Sequence, residues 1–323
     1  EFRRVLFRSI TVTKLNLTSL FPGKRDAFAV ILDNVFTESE CKSLIDRTEE
    51  QGYSEALVGG QQVRQVQQRN NWRCIIDDVD LAAKIFERVR PYVPCEWLGC
   101  KLVGLNERLR FLKYKPGEYF KPHNDGIYVR EDQSECSYVT LHLYLCDVPE
   151  GDGGETTFTT EKMTYGRHKN GPESSTPVRV LHVRPVTGRV LLFEHHVPHA
   201  GSTLLKGVKY TMRTDFMYNI RGKTPIRTPR WGLKFPHPQY KLPHKEELRV
   251  NTEVATRETY SEGNFPSYEL FEKTKLGWLD KQKYNKLKEK YMGKPIPDQG
   301  TTIIPSYLGT LQWHEYFIAK RMM

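Results

Sequence analysis

A chain of 323 residues, 38% hydrophobic and 11% aromatic, can bury one sizeable core, which excludes wholesale disorder. No run of about 18 apolar residues occurs, which speaks against a transmembrane helix, and none of the six cysteines is spaced CxxC, which speaks against a zinc ribbon. The net charge of +10 is uneven: from Arg221 onward 19 Lys/Arg face 11 Asp/Glu, so the basicity belongs to the last third.

In chain order, residues 1–25 read as a flexible N-terminal lead. Residues 1–9 (EFRRVLFRS) are too short and broken for a signal-peptide core. They read as a cloning remnant or a short lead, with a mitochondrial presequence as the other reading. A cytoplasmic location is expected, with organellar targeting open. Phe28–Leu32 (FAVIL) reads as a strand. Thr37 and Glu40 form a capping box that opens a helix through Cys41, Leu44 and Ile45. Gly59–Asn71 is polar and Gln/Arg-rich, a surface loop free to act as a lid. Leu81–Val89 is an amphipathic helix ended by Pro91.

From 103 to 220 short alternating runs are separated by Gly and Pro turns, the pattern of an antiparallel sandwich or barrel. The expected strands are Arg108–Tyr114, Ser137–Cys146, Thr156–Phe158, Arg179–Arg184, Val190–Phe193 and Lys209–Tyr218, with a long loop over Glu161–Thr176. Residues from 221 begin with a proline-studded, extended segment (Pro225, Pro229, Pro236, Pro238 and Pro243). Helical patterns follow at Tyr268–Thr274, Leu279–Tyr291 and Tyr307–Arg321. The expected organisation is a domain at 26–220, made of helical support (26–100) and a β core (101–220), then a basic annex at 221–323.

Lys121–Asp125 (KPHND) places a histidine and an aspartate at i and i+2, so on a strand both reach one ion. Two histidines and a carboxylate on one face of an octahedron leave three positions open, the arrangement of non-haem Fe(II) oxygenases. HxD alone also fits a surface turn. The third ligand is sought in Glu194–Gly201 (EHHVPHAG), where spacing does not separate His195, His196 and His199. A zinc site from His196 and His199 is the alternative.

Three strands carry chemistry on one face. Lys209, Thr211, Arg213 and Asp215 share a side opposite Tyr210, Met212, Thr214 and Phe216. Arg213 could bind an anion or pair with Asp215. Thr140, His142 and Tyr144 face away from Leu141, Leu143 and Leu145. Arg108, Arg110, Leu112 and Tyr114 share a face, with Arg110 an anchor for an acidic substrate group or a surface ion pair.

Leu109–Ile220 resembles the 2-oxoglutarate/Fe(II) dioxygenases, prolyl 4-hydroxylase-like branch. The resemblance rests on Tyr114–Asp125 (YKPGEYFKPHND), Leu143-Tyr144-Leu145, Gly153–Phe158 (GGETTF), Gly188 with Leu191-Leu192-Phe193, His199-Ala200-Gly201, and Gly207 with Lys209. It implies an α+β fold: a double-stranded β-helix (jelly-roll) core, N-terminal packing helices and a mostly helical C-terminal extension. It implies Fe(II) on His123, Asp125 and His199. It implies 2-oxoglutarate held by Lys209 or Arg213 with Thr211, Tyr144 and Tyr114. O₂ is the oxidant, with ascorbate as an optional addition. Arg110, His142 and Thr140 become substrate-side candidates, and Asp125 argues against halogenation.

The implied reaction is hydroxylation of a prolyl or amino-acid-like substrate, small molecule or peptide, with succinate and CO₂ as coproducts. One alternative is a small-molecule oxidative cyclase or desaturase for an amino-acid-derived acid. Another is a nucleic-acid-directed oxygenase using the basic annex with Trp231 and Trp278. No membrane partner is expected, and oligomeric state is not legible.

Overall fold

Eight strands between Arg108 and Asn219 switch back and forth between two sheets, and this alternation fixes the architecture. The computed structural model describes residues 9–21, 27–58, 62–161, 178–221, 249–251, 255–256 and 281–293. Its first half holds β1 (Thr11–Leu15), β2 (Ala29–Asp33), α1 (Glu38–Gln51), β3 (Ser54–Glu55), β4 (Trp72–Asp77) and α2 (Val79–Val89), then β5 (Glu96–Trp97) and β6 (Cys100–Leu105). The core strands are β7 (Arg108–Tyr114), β8 (Phe120–His123), β9 (Glu135–Tyr144), β10 (Thr156–Thr159), β11 (Arg179–Val183), β12 (Val190–Glu194), β13 (His199–Gly201) and β14 (Lys209–Asn219). Then come β15 (Arg249–Asn251), β16 (Ala255–Thr256) and α3 (Lys281–Tyr291).

The larger sheet runs β15-β1-β2-β12-β9-β14-β7-β4-β3, with β6 also on β14; the smaller runs β16-β11-β10-β13-β8. Within them β12-β9-β14-β7 faces β11-β10-β13-β8. This is a double-stranded β-helix, or jelly roll.

Both faces of the larger sheet are covered, so its strands are apolar on successive residues rather than alternately. Val190 and Leu192 of β12 pack with α1 and α2 through Cys41, Leu44, Ala82 and Ile85. Leu191 and Phe193 point the other way, against Phe158, Leu181 and Val183 of the smaller sheet. The helices are locally specified. Thr37 and Glu40 close the capping box of α1, and Asp78 caps α2 by accepting from the Leu81 amide, each cap worth about 1 kcal/mol.

Several expectations change. Thr11–Leu15 is not part of a free lead but a strand paired antiparallel with β2 and parallel with β15. β4, β6 and β13 are not expected from the sequence, being three to six residues long or broken in pattern. The end of the 59–71 loop is no lid: Gln68, Arg69 and Asn71 are buried. Gln68 O accepts from the Lys121 amide at 2.9 Å, and Asn70 Oδ1 from the Tyr119 amide at 2.7 Å. In the C-terminal third, the described residues are helical over α3, while β15 and β16 add strands to the edges of the two sheets. The helices expected at Tyr268–Thr274 and Tyr307–Arg321, the proline-rich stretch, Trp231 and Trp278 lie outside the described residues, as does most of the loop over 161–176. No described helix is long and apolar enough to cross a membrane.

Candidate metal centre

The smaller sheet brings two histidines together by register. β13 and β8 are antiparallel neighbours with His199 opposite His123, and their ring centroids lie 4.3 Å apart. Asp125 follows β8 by two residues, its amide donating to His195 O at 3.0 Å. Ligand atoms of His123, Asp125 and His199 all fall within 4.8 Å of one another. His195 and His196 do not join them; His195 is fully buried and directs Nε2 to Asp215 Oδ1 at 3.3 Å.

Each histidine is set in the tautomer a metal needs. His123 Nδ1 is 2.8 Å from Lys121 O, and His199 Nδ1 is 2.9 Å from Val197 O. A backbone carbonyl can only accept, so Nδ1 carries the proton and the Nε2 lone pair faces Asp125. Burial pushes both imidazoles below their ordinary range, keeping them neutral. Burial alone would raise the Asp125 carboxyl. The Arg213 guanidinium overcomes this and holds it well below the usual carboxylate range. Arg213 Nη2 lies 3.1 Å from Asp125 Oδ1 and 2.9 Å from Asp215 Oδ1. Thr140 donates its hydroxyl to Asp125 Oδ2 at 2.5 Å. Two neutral imidazole nitrogens and one fixed carboxylate suit a divalent iron.

A pocket opens beside this triad. Its walls include Tyr114, His142, Thr156, Phe193, Lys209 and Arg213, together with the triad itself. Lys209 enters from β14, buried, with Nζ 2.6 Å from Gly154 O and 4.6 Å from the Tyr114 ring centre. Gly154 tolerates this approach because it has φ +76° and no Cβ; one added there would sit 3.3 Å from Lys209 Cδ. Desolvation lowers the Lys209 ammonium to about 8. Among the described residues it has no carboxylate partner within 4.0 Å.

Two more buried atoms near it are left without a partner, His142 Nε2 and Thr211 Oγ1. A buried cation beside unsatisfied polar groups is costly unless an anion arrives. A small dicarboxylate fits that deficit.

The sequence-selected residues therefore divide. His123, Asp125, His199, Lys209, Arg213, Tyr114, His142 and Arg110 line one pocket. Thr140 is not on its wall but orients Asp125. Tyr144 stands behind the wall, its hydroxyl donating to Thr156 at 2.7 Å. Thr211 is wholly buried between Lys209 and Arg213. Sequence reasoning missed Arg69, Arg73, Phe120 and Thr156 as wall residues. For Arg69 and Arg73 the only signal is the Gln/Arg-rich run ending at Asn71 and the short strand β4.

Residues 109–217 match the family model described as the 2OG-Fe(II) oxygenase superfamily. No curated protein sequence matches the chain. Among solved structures, a viral collagen prolyl hydroxylase from Paramecium bursaria Chlorella virus-1, in a 2-oxoglutarate complex, is 18% identical. It covers 59% of this chain and 96% of its own, with a TM-score of 0.37. A Trichoplax adhaerens prolyl hydroxylase in complex with a hypoxia inducible factor peptide fragment is 15% identical, covering 60% and 84%, TM-score 0.43. A Pseudomonas putida prolyl-4-hydroxylase is 18% identical, covering 58% and 91%, TM-score 0.39. The segment 109–217 is a 2-oxoglutarate/Fe(II) oxygenase domain, and the cofactor set of that class is Fe(II), 2-oxoglutarate and O₂.

Proposed function

We propose that this chain hydroxylates an unactivated C–H bond of an amino-acid-like substrate, with succinate and CO₂ as coproducts. In this reading 26–220 is the catalytic domain and 221–323 an annex to it. The observation that carries the reading is the shared pocket of His123, Asp125, His199 and Lys209. His123, Asp125 and His199 hold Fe(II). The bound metal supplies activation of O₂ and oxidation of the substrate carbon, while 2-oxoglutarate is decarboxylated.

The remaining work belongs to the protein. Lys209 Nζ receives the distal carboxylate of 2-oxoglutarate, and Thr211 Oγ1 donates to it. Arg213 is committed to Asp125 and Asp215, so it positions the metal-binding carboxylate rather than holding the cosubstrate. Phe193 and Leu112 exclude water along the wall.

The test is anaerobic addition of Fe(II) and 2-oxoglutarate, followed by the visible charge-transfer band of the chelate. A band in the wild type that is lost in His199→Ala supports the assignment. No band, or an undiminished band in His199→Ala, overturns it. Succinate release with candidate substrates then reports turnover.

A further inference from the structure

The iron and 2-oxoglutarate sites leave one wall of the pocket unexplained. It carries Arg69, Arg73 and Arg110. Arg69 is only 9% exposed, yet its Nη2 has no hydrogen-bond partner. Its Nε donates to Asn71 Oδ1 at 3.0 Å, and its guanidinium lies over Phe120, 4.2 Å from the ring centre. Phe120 in turn stacks on His123 at 3.5 Å. The Arg69 fork is thus fixed two stacking contacts from His123.

Arg73 sits on β4 opposite Leu112 of β7, with Arg110 two residues along the same face of β7. Arg73 Nη2 donates to Gln62 Oε1 at 2.8 Å, while its buried Nε has no partner. Among the described residues Arg110 has one carboxylate within 4.0 Å, Asp215 at 3.3 Å, and shares it with Arg213. Neither Arg69 nor Arg73 has a carboxylate within 4.0 Å among the described residues.

Guanidinium groups crowded on one wall repel, and a buried one without a counter-charge is costly. The cosubstrate does not repair this, because one of its ends lies at the metal and the other at Lys209. A second anion is required. An arginine fork is matched to a carboxylate, which accepts two parallel N–H bonds.

We propose that Arg69, with Arg73 and Arg110 beside it, binds the carboxylate of the substrate that is oxidised, and that this substrate is a small carboxylic acid. The inference rests on the oxygenase reading above and narrows its substrate class. A free carboxylate held two layers from His123 places carbons a few bonds away next to the metal. It selects against substrates whose carboxyl is tied up in an amide.

The test uses the full chain loaded anaerobically with Fe(II) and saturating 2-oxoglutarate. The probes are N-acetyl-L-amino acids, beginning with N-acetyl-L-proline, each paired with its uncharged carboxamide. Binding is read as a shift of the charge-transfer band and as a rise in thermal midpoint. At least one acid is expected to bind about 10- to 100-fold more tightly than its amide, the range for hydrogen bonds to a charged group. Arg69→Gln should remove that difference and leave the 2-oxoglutarate titration unchanged. That unchanged titration also shows that the variant folds. Arg73→Gln carries the same prediction if Arg69→Gln fails to fold.

A band in wild type with no acid preferred over its amide overturns this inference alone; absence of the band overturns the oxygenase reading itself. An acid preference that survives in Arg69→Gln also overturns the inference. So does a weakened 2-oxoglutarate titration in that variant, which would place the cosubstrate at Arg69.

Discussion

Arg213 grips Asp125 from two sides, Nε to Oδ2 at 3.2 Å and Nη2 to Oδ1 at 3.1 Å. The same guanidinium reaches Asp215, so two buried carboxylates depend on one cation. Arg213→Gln should therefore cost about 3–5 kcal/mol, the usual result of stripping a buried charge of its partner. Calorimetry at pH 7 reads this directly. The wild-type contribution has a defined pH window. Asp125 and Asp215 are both lowered, since Arg213 outweighs the burial that would raise them. Their stabilisation is present above the unfolded carboxyl value of about 4 and is lost as pH falls below it. An acid-side stability profile unchanged by the substitution would contradict this account.

Lys209→Met separates binding from stability. Burial holds the ammonium at about 8, below the unfolded value of about 10.4. A depressed lysine penalises folding below its folded value, and the penalty fades as pH rises toward 10.4. Removing the charge at pH 7 relieves up to roughly 3 kcal/mol, partly offset by the lost bond to Gly154 O. The thermal midpoint of Lys209→Met should equal or exceed that of wild type, while 2-oxoglutarate binding falls at least 10-fold. In wild type, 2-oxoglutarate affinity should weaken as pH passes above about 8. A lower midpoint with intact cosubstrate binding would make Lys209 structural.

Thr140→Val keeps the shape of the side chain and deletes the hydroxyl that donates to Asp125. Loss of a partner to a metal-binding carboxylate typically weakens metal affinity about 10- to 100-fold. Thr140→Ser should recover most of it. Competition with a fluorescent chelator measures the affinity; equal values for all three proteins would remove Thr140 from the site's support.

A divalent ion that binds the folded state stabilises it by mass action, by about 2.7 kcal/mol at 100 times the dissociation constant. Mn(II) or Co(II) should raise the thermal midpoint of wild type and EDTA should reverse it. His123→Ala and His199→Ala should show neither effect. A midpoint insensitive to metal in wild type would count against the triad.

The sequence was most informative where period and burial agree. Lys209–Tyr218 alternates charge with aromatics, and its charged side does face the pocket while Met212 and Phe216 enter the core. Glu38–Gln51 was legible from its capping box. The two ends of the iron site were harder. His123 and Asp125 show a strand spacing, but His199 lies in a three-residue strand with no pattern of its own. Only resemblance picked it from three histidines. Arg69 and Arg73 were invisible because polarity in a Gln/Arg-rich run suggests solvent. Their burial is a tertiary effect, created by pairing Gln68–Asn71 with β8 and β4 with β7. Arg110 was read as either an anchor or an ion-pair member, and it is both on the wall and 3.3 Å from Asp215.

β8 is the outermost described strand of its sheet, and the bonds that hold its far side come from Gln68 and Asn70, about fifty residues earlier in the chain. Its near side pairs with β13, a still longer sequence distance away. Contacts that close such long loops are entropically slow to form. The helices α1 and α2, held by local bonds and caps, can settle before His123 reaches its place. Competence to take up metal should thus be a late event in refolding, lagging behind the recovery of secondary structure rather than guiding it.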